Sequence, residues 1–284
     1  MIVISSVREI KDIVARERGI GKTIGLVPTM GALHAGHASL AQRSVQENDV
    51  TIVSVFVNPT QFNDKNDLAS YPRTLDADVK MLCKLGVDYV FAPTAEEIYP
   101  EPDTRVFSYP PIDTVMEGAK RPGHFNGVCQ IVSKLFLMTQ PHRAYFGEKD
   151  FQQIVVVTAM TRALSLPVEL RSCPIVREES GLALSSRNTL LTSEEKTTAT
   201  TIYKTLKESL ALTATCSIAE VTDFVTSKIN GTEGLEVEYF QIVDGLTLQP
   251  VESWDASNFI VGCITVYCGQ RPVRLIDNIT YKKA

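Results

Sequence analysis

The stretch KTIGLVPTMGALHAGHASLAQRSVQEN, Lys22 to Asn48, decides how the rest of the chain is read. Its first eight residues, Lys22–Thr29, form a short apolar run of the kind found in parallel strands buried on both faces. From Gly36 onward, Leu40, Ala41, Ser44 and Val45 fall at helical spacing. Between the two, Gly31 and Gly36 are expected to let the backbone turn tightly and approach a ligand closely. The helix beginning near Gly36 then offers unpaired N–H groups and the positive end of its dipole, which together suit a phosphate. His34 and His37, half of the chain's four histidines, stand at that end. Imidazoles there can donate to phosphate oxygens without the permanent repulsion of two lysines. The same His-x-x-His spacing also fits a metal site or a structural pair on a polar loop. No cysteine or carboxylate follows closely enough to complete a local metal site, and no G-x-G-x-x-G dinucleotide fingerprint is present.

The alternation continues outward. Val50–Asn58 is dense in β-branched residues and reads as a second strand. A polar loop over Pro59–Pro72 leads to a helix over Thr74–Gly86 and a third strand over Val87–Pro93. Prolines crowd the interval Pro93–Pro122, which predicts irregular, surface-lying chain. An apolar helix over Asn126–Thr139 and a short strand over Ala144–Gly147 follow. Asp150 is placed to N-cap a helix reaching Ser165, and Pro167–Val176 returns as a strand. Strands alternating with helices predict an α/β, Rossmann-like doubly wound parallel sheet, with ligands beyond the carboxyl ends of its strands.

Near Ser193 the pattern changes. Thr192 and Glu195 have capping-box spacing, and an amphipathic helix runs to about Leu212. A second helix, Ser217–Ile229, is closed by Asn230-Gly231, and strands follow over Leu235–Asp244, Asn258–Cys268 and Pro272–Ile279. The expectation is a domain over 1–178 and a smaller α+β C-terminal domain over 179–284.

Composition narrows the function. Net charge is −5, from 28 basic and 33 acidic residues, which argues against a nucleic-acid partner. The six cysteines are scattered and form no C-x-x-C pair, so a reducing cytoplasm is expected. Arg8 interrupts the N-terminal apolar residues before they reach signal-peptide length. The run Phe259–Cys268 is too short and too β-branched for a membrane helix, so no membrane partner is expected.

Three further motifs carry chemistry. In FVNPTQF, the amides of Asn58 and Gln61 can read a small polar substrate, although a plain proline turn has the same look. In FGEKDFQQ, Lys149 suits phosphates and Gln153 follows one helical turn later; a solvated charge cluster at a helix start is the alternative. In GLALSSRN, Arg187 can fork onto a phosphate while Ser185 and Ser186 donate to other oxygens; an interdomain linker would also fit.

HAGH resembles the H-x-G-H signature of the nucleotidylyl-transferase superfamily, and SSRN resembles that superfamily's mobile K-M-S-K-S loop with arginine in the lysine role. The ordered set PTMGALHAGH, VNPTQF, RPGHFNGV, GEKDFQQ and SSRN resembles the pantoate–β-alanine ligases, also called pantothenate synthetases, from about Lys22 to Asn188. The resemblance implies a two-step reaction. The carboxylate of (R)-pantoate attacks the α-phosphorus of ATP, giving pantoyl adenylate and pyrophosphate. The amine of β-alanine then displaces AMP. Carried over residue by residue, it implies ATP contacts from Met30, Gly31, Ala32, Leu33, His34, Ala35, Gly36 and His37. Further ATP contacts fall to Gly147, Glu148, Lys149 and Asp150, and to Val176, Leu184, Ser185, Ser186 and Arg187. His34, His37, Lys149 and Arg187 take catalytic roles; Gln61, Gln153 and Asn58 face pantoate and β-alanine.

The resemblance further implies Mg²⁺ bridging the phosphates, with no protein ligand identified, and a homodimer. The 1–178 domain would bind nucleotide and pantoate, and the 179–284 domain would act as a lid, its loop Ser180–Asn188 closing over ATP. The family often has Met where Leu184 stands and Asp where Ser180 stands. Another H-x-G-H nucleotidylyl transferase and a non-catalytic nucleotide sensor are the rival readings.

Overall fold

The computed structural model describes residues 1–63, 68–69 and 71–283, so the middle of the expected polar loop lies outside the described residues. The chain divides into two compact units, Met1–Glu148 with Gln153–Pro174, and Lys149–Gln152 with Ile175–Ala284.

The first unit holds a six-stranded parallel sheet in the order β1-β4-β3-β2-β5-β6. The strands are β1 (Ile2–Ile4), β2 (Ile24–Thr29), β3 (Val50–Val55), β4 (Tyr89–Phe91), β5 (Arg143–Gly147) and β6 (Glu169–Cys173). Successive side chains point to opposite faces, and both faces are buried. Leu26, Ile52 and Ala144 join one apolar cluster with helices α1 (Val7–Gly19), α6 (His124–Thr139) and α7 (Phe151–Ala163). Their neighbours Val27, Val53 and Tyr145 join a second cluster with α2 (Ala35–Glu47) and α3 (Leu75–Lys84). Two covered faces are why these strands read as unbroken apolar runs rather than as alternations. The sheet is thus the doubly wound one expected from sequence.

The order places β2 between β3, which follows it in the chain, and β5 on its other side. That reversal is the topological switch point, where doubly wound sheets open a crevice beyond the strand ends. The segments following Thr29, Val55 and Gly147 leave the sheet there.

Two elements go beyond the sequence reading. Helix α1 is set by Ser6, whose hydroxyl accepts the N–H groups of Arg8 and Glu9, and it buries Ile10, Ile13 and Val14. β1 is a three-residue edge strand with Ile2 and Val3 exposed. The proline-rich interval also differs from its expected surface character. It contains α4 (Ala95–Ile98) and α5 (Met116–Lys120), it buries Ile98 and Met116, and Phe107, Tyr109 and Ile112 pack against the core. Prolines bar long elements there, but long apolar side chains still reach inward. The Gln130 amide, from α6, satisfies the carbonyls of Asp103 and Arg105.

The second unit is an antiparallel sheet, β7 (Leu235–Asp244), β8 (Phe259–Cys268) and β9 (Val273–Lys283), in that order. It packs with α8 (Ser193–Ser209) and α9 (Ile218–Asn230), whose capping boxes are Thr192 with Glu195 and Ser217 with Glu220. α8 ends three residues before the expected Leu212, and the chain continues as a 3-10 turn over Leu210–Ala214. The run Phe259–Cys268 is the buried central strand. Among the described residues, no helix is long and apolar enough to cross a membrane.

Candidate active site

The loop after β2 is built by backbone geometry first. Gly31 has φ +81°, a left-handed conformation that favours glycine, and Ala32 follows at φ 49°. The tight turn is therefore at Gly31-Ala32. Gly36, expected to make a second turn, lies inside α2, whose first residue is Ala35. The turn is complete by His34, which is extended and serves as the N-cap. Asp78, in the first turn of α3, holds the strained pair from outside the loop. Its Oδ2 accepts the Ala32 N–H at 3.0 Å, its Oδ1 accepts the Leu33 N–H at 2.9 Å, and it is only 2% exposed. The Thr74 hydroxyl donates a third bond at 3.1 Å. Nothing in the sequence pairs Asp78 with the loop, because its partners are backbone N–H groups some 45 residues away in the chain.

His34 and His37 form a reciprocal cap. The Gly36 N–H donates to Nδ1 of His34 at 3.1 Å, and the His34 N–H donates to Nδ1 of His37 at 3.4 Å. The two rings lie tilted at 35° to one another with centroids 4.1 Å apart. Because both Nδ1 atoms accept, a neutral ring carries its proton on Nε2, where it is a donor. Each imidazole thus commits its Nδ1 to a backbone N–H of the loop and helix start. Ala35 is exposed beside them, and Met30, Leu33 and Gly36 are half-buried.

The Pro59–Gln61 3-10 turn follows β3. The Gln61 amide has its Oε1 bonded by Asn58 Nδ2 at 3.2 Å and its Nε2 against Met30 Sδ at 3.1 Å, so Met30, Asn58 and Gln61 meet. Asn58 is 1% exposed. Its second N–H donates to the Gly127 carbonyl, and its Oδ1 accepts from Tyr99 and Thr60. Burial pushes the Tyr99 phenol up from its ordinary pKa, which keeps it a donor. Asn58 is therefore fully engaged within the chain. It fastens the turn that carries Gln61, where the sequence suggested a direct reader of substrate.

Gly147 closes β5, and Glu148 accepts from the Ser172 hydroxyl at 2.8 Å. Glu148–Asp150 is a 3-10 turn leading into α7, whose first residue is Phe151. Asp150 is exposed, and Gln153 is half-buried in the helix's first turn.

In the second unit, Lys149 and Ser185 line the same cavity of about 10 Å³, with Asn188 and Asp277 among its other walls. The Asn278 amide holds the Lys149 carbonyl at 3.1 Å. Val176 and Leu184 face each other in a narrow hairpin, the Leu184 N–H donating to the Val176 carbonyl at 3.0 Å, with Arg177 bridged to Ala183. Gly181, at φ +94°, closes the hairpin. Ser180 stands at the tip, and its hydroxyl accepts the Leu182 N–H at 3.4 Å. Ser185 caps the 3-10 turn Ser186–Leu190 by accepting the Arg187 N–H at 3.3 Å. Ser185, Ser186 and Arg187 are each half-buried.

Three residues unmarked by any sequence motif hold this hairpin. Arg177 makes a two-pronged ion pair with Asp277, at 2.6 and 2.8 Å, and its guanidinium lies 3.6 Å over the Tyr203 ring. It also donates to the Gly181 carbonyl at 3.2 Å. Among the described residues, no group of three or more His, Cys, Asp and Glu side chains gathers to hold a metal ion.

A family model for pantoate-β-alanine ligase matches residues 2–280. The pantothenate synthetase of Bacteroides fragilis (strain YCH46) is 60% identical over 284 residues, covering 100% of both chains. The pantothenate synthetase of Thermus thermophilus superposes with TM-score 0.92 at 42% identity, covering 99% of this chain and 100% of that one. The pantoate-β-alanine ligase of Francisella tularensis, complexed with β-γ ATP and β-alanine, superposes with TM-score 0.83 at 36% identity, covering 100% of this chain and 99% of that one. With its switch-point loop, capped histidine pair and matching relatives, the chain belongs to the pantoate–β-alanine ligase family and joins pantoate to β-alanine.

Proposed function

We propose that the ligation runs through pantoyl adenylate with consumption of ATP. The observation that carries this reading is the histidine pair. Both Nδ1 atoms are committed to backbone N–H groups at the start of α2, so two Nε2 donors stand at a helix N-terminus, where phosphate is favoured. A carboxylate is a poor acyl donor. When the pantoate oxygen attacks the α-phosphorus, the bond to pyrophosphate breaks and the acyl group gains AMP as a leaving group. The β-alanine amine then bonds to the acyl carbon, releases AMP and loses a proton. No protein nucleophile is needed, and the work is positioning and stabilising charge on oxygen.

In this assignment His34, His37, Lys149, Ser185, Ser186 and Arg187 serve the phosphates. Gly147 and Asp150 serve the ribose, and the Val176 backbone the adenine. Gln61 and Gln153 bind pantoate, and Gln61 also serves β-alanine. Mg²⁺ enters with ATP and is held through phosphate oxygens. A homodimer in the cytoplasm belongs to the same proposal.

The test is an assay for AMP with pantoate, ATP, Mg²⁺ and β-alanine, omitting each in turn. AMP release is expected only with all four, and pyrophosphate release without β-alanine is expected to stop at a single turnover. Pyrophosphate release that turns over with no AMP formed, and regardless of β-alanine, would favour a different nucleotidylyl transfer. The hairpin is expected to close over ATP, so proteolysis within Ser180–Asn188 is expected to slow when ATP and pantoate are added together. Equal cleavage with and without them would reject the closure.

A further inference from the structure

The motif RPGHFNGV, Arg121 to Val128, has no role in the assignment above, yet it lies directly behind Gln61. His124 is 7% exposed, and its Nδ1 is 2.9 Å from the Gln61 carbonyl oxygen. A carbonyl only accepts, so Nδ1 carries a proton. Nε2 lies 3.3 Å from Nη1 of Arg121, which only donates, so Nε2 accepts. The two neighbours fix a neutral ring in one tautomer and one orientation. Arg121 is in turn 3.7 Å from the Glu117 carboxylate, one helical turn back. Gly127 completes the contact: a Cβ there would come within 2.6 Å of Gln61 Cα, so only glycine lets α6 approach the turn this closely. The Gly127 carbonyl also receives the Asn58 amide. The Pro59–Gln61 turn is thereby held from behind by a histidine, a glycine and an asparagine, while the Gln61 side chain extends toward Met30.

We propose that His124 is a positioning residue for pantoate recognition: through its Nδ1–H bond to the Gln61 carbonyl it sets where the Gln61 amide stands. This rests on the reading of Gln61 as a pantoate-binding residue. Gln61 sits on a single 3-10 turn, whose own hydrogen bonding is sparse, so its side chain is placed only as well as its backbone is anchored. His124 contributes to binding through Gln61 and touches no substrate atom in this scheme.

The two amide replacements of histidine separate this role from simple packing. In His124→Asn the side-chain nitrogen takes the place of Nδ1 and can still donate to the Gln61 carbonyl. In His124→Gln the amide takes the place of Nε2, stays near Arg121 and loses Gln61. The expected result is a pantoate KM raised about 10-fold in His124→Gln, the scale of one lost buried hydrogen bond. His124→Asn is expected within about threefold of the parent, on the same scale. The KM for ATP is expected to stay level in both, and their melting temperatures to agree. Equal pantoate KM values in the two variants, or a rise matched by the ATP KM, would overturn the proposal. Gln61→Ala is measured alongside. If it raises the pantoate KM while His124→Gln does not, the positioning role alone fails; if it leaves the pantoate KM unchanged, the reading of Gln61 fails and takes the inference with it.

Discussion

Asp277→Ala is expected to destabilise the second unit by about 3–5 kcal/mol, the cost of stranding a buried charge. Asp277 and Arg177 have side chains only 7% and 14% exposed, and they meet through both prongs of the guanidinium. Removing the carboxylate leaves Arg177 with the Tyr203 ring and one carbonyl as its partners in that pocket. Neither offsets the desolvation of a full positive charge. A fall in the melting temperature of about 10 °C or more would follow for a unit of this size. The consequence for function is separate from stability. Arg177 spans the base of the hairpin that carries Ser185, Ser186 and Arg187, and Asn278, next to Asp277, holds the Lys149 carbonyl. The double variant Arg177→Met with Asp277→Leu removes both charges and is expected to recover most of the stability, since apolar pairs of similar volume replace buried ion pairs well. It is expected to keep a raised KM for ATP, because the hairpin has lost its two-pronged fastening. A single variant that melts within about 1 °C of the parent would show that the pair is not the fastening described.

What the sequence made legible, and what it hid, follows from where the interactions run. Strands β2 and β3 were readable because both faces are buried, which leaves continuous apolar runs around Leu26 and Ile52. The capping box at Thr192 was readable because its partner, Glu195, is three residues away. Helix α1 carries an equivalent signal in Ser6 followed by Ile10, Ile13 and Val14, but the charged residues that dominate its outer face mask it. β1 had no signal, being three residues long with two of them exposed. At the site, His34, His37, Gln61, Lys149 and Arg187 stand out as residue types that suit phosphate or a small acid in motifs at strand ends. Their supports do not. Asp78 looks like an ordinary helix-start acid, and Asp277 like a polar residue in a strand. Each acts on a partner 45 to 100 residues away, through contacts that only the folded chain brings about. His124 is visible as part of a motif, but its target is a backbone carbonyl, which no residue type advertises.

His37→Ala is expected to slow pantoyl-adenylate formation by about 10²-fold or more, the usual effect of losing one preorganised donor at a developing charge. The proposed assignment gives His37 two separable duties. Its Nδ1 accepts the His34 N–H and so helps cap α2, and in that assignment its Nε2–H donates to phosphate. Alanine removes both, so a loss of rate alone does not say which duty mattered. Asparagine and glutamine do. In His37→Asn the side-chain oxygen can take over the cap at the Nδ1 position, but no donor reaches the Nε2 position; stability is expected to return and the rate is not. In His37→Gln the amide nitrogen can occupy the Nε2 position, and part of the rate is expected to return although the cap is weakened. The rate is read as pyrophosphate release with pantoate and ATP in the absence of β-alanine, which isolates the first step. Chemically supplied pantoyl adenylate should restore pantothenate formation in the alanine variant, because the second step releases AMP from an acyl group that is already activated. Near-parental pyrophosphate release in His37→Ala, or equal recovery by the asparagine and glutamine variants, would remove the imidazole from the chemistry and leave it as a helix cap.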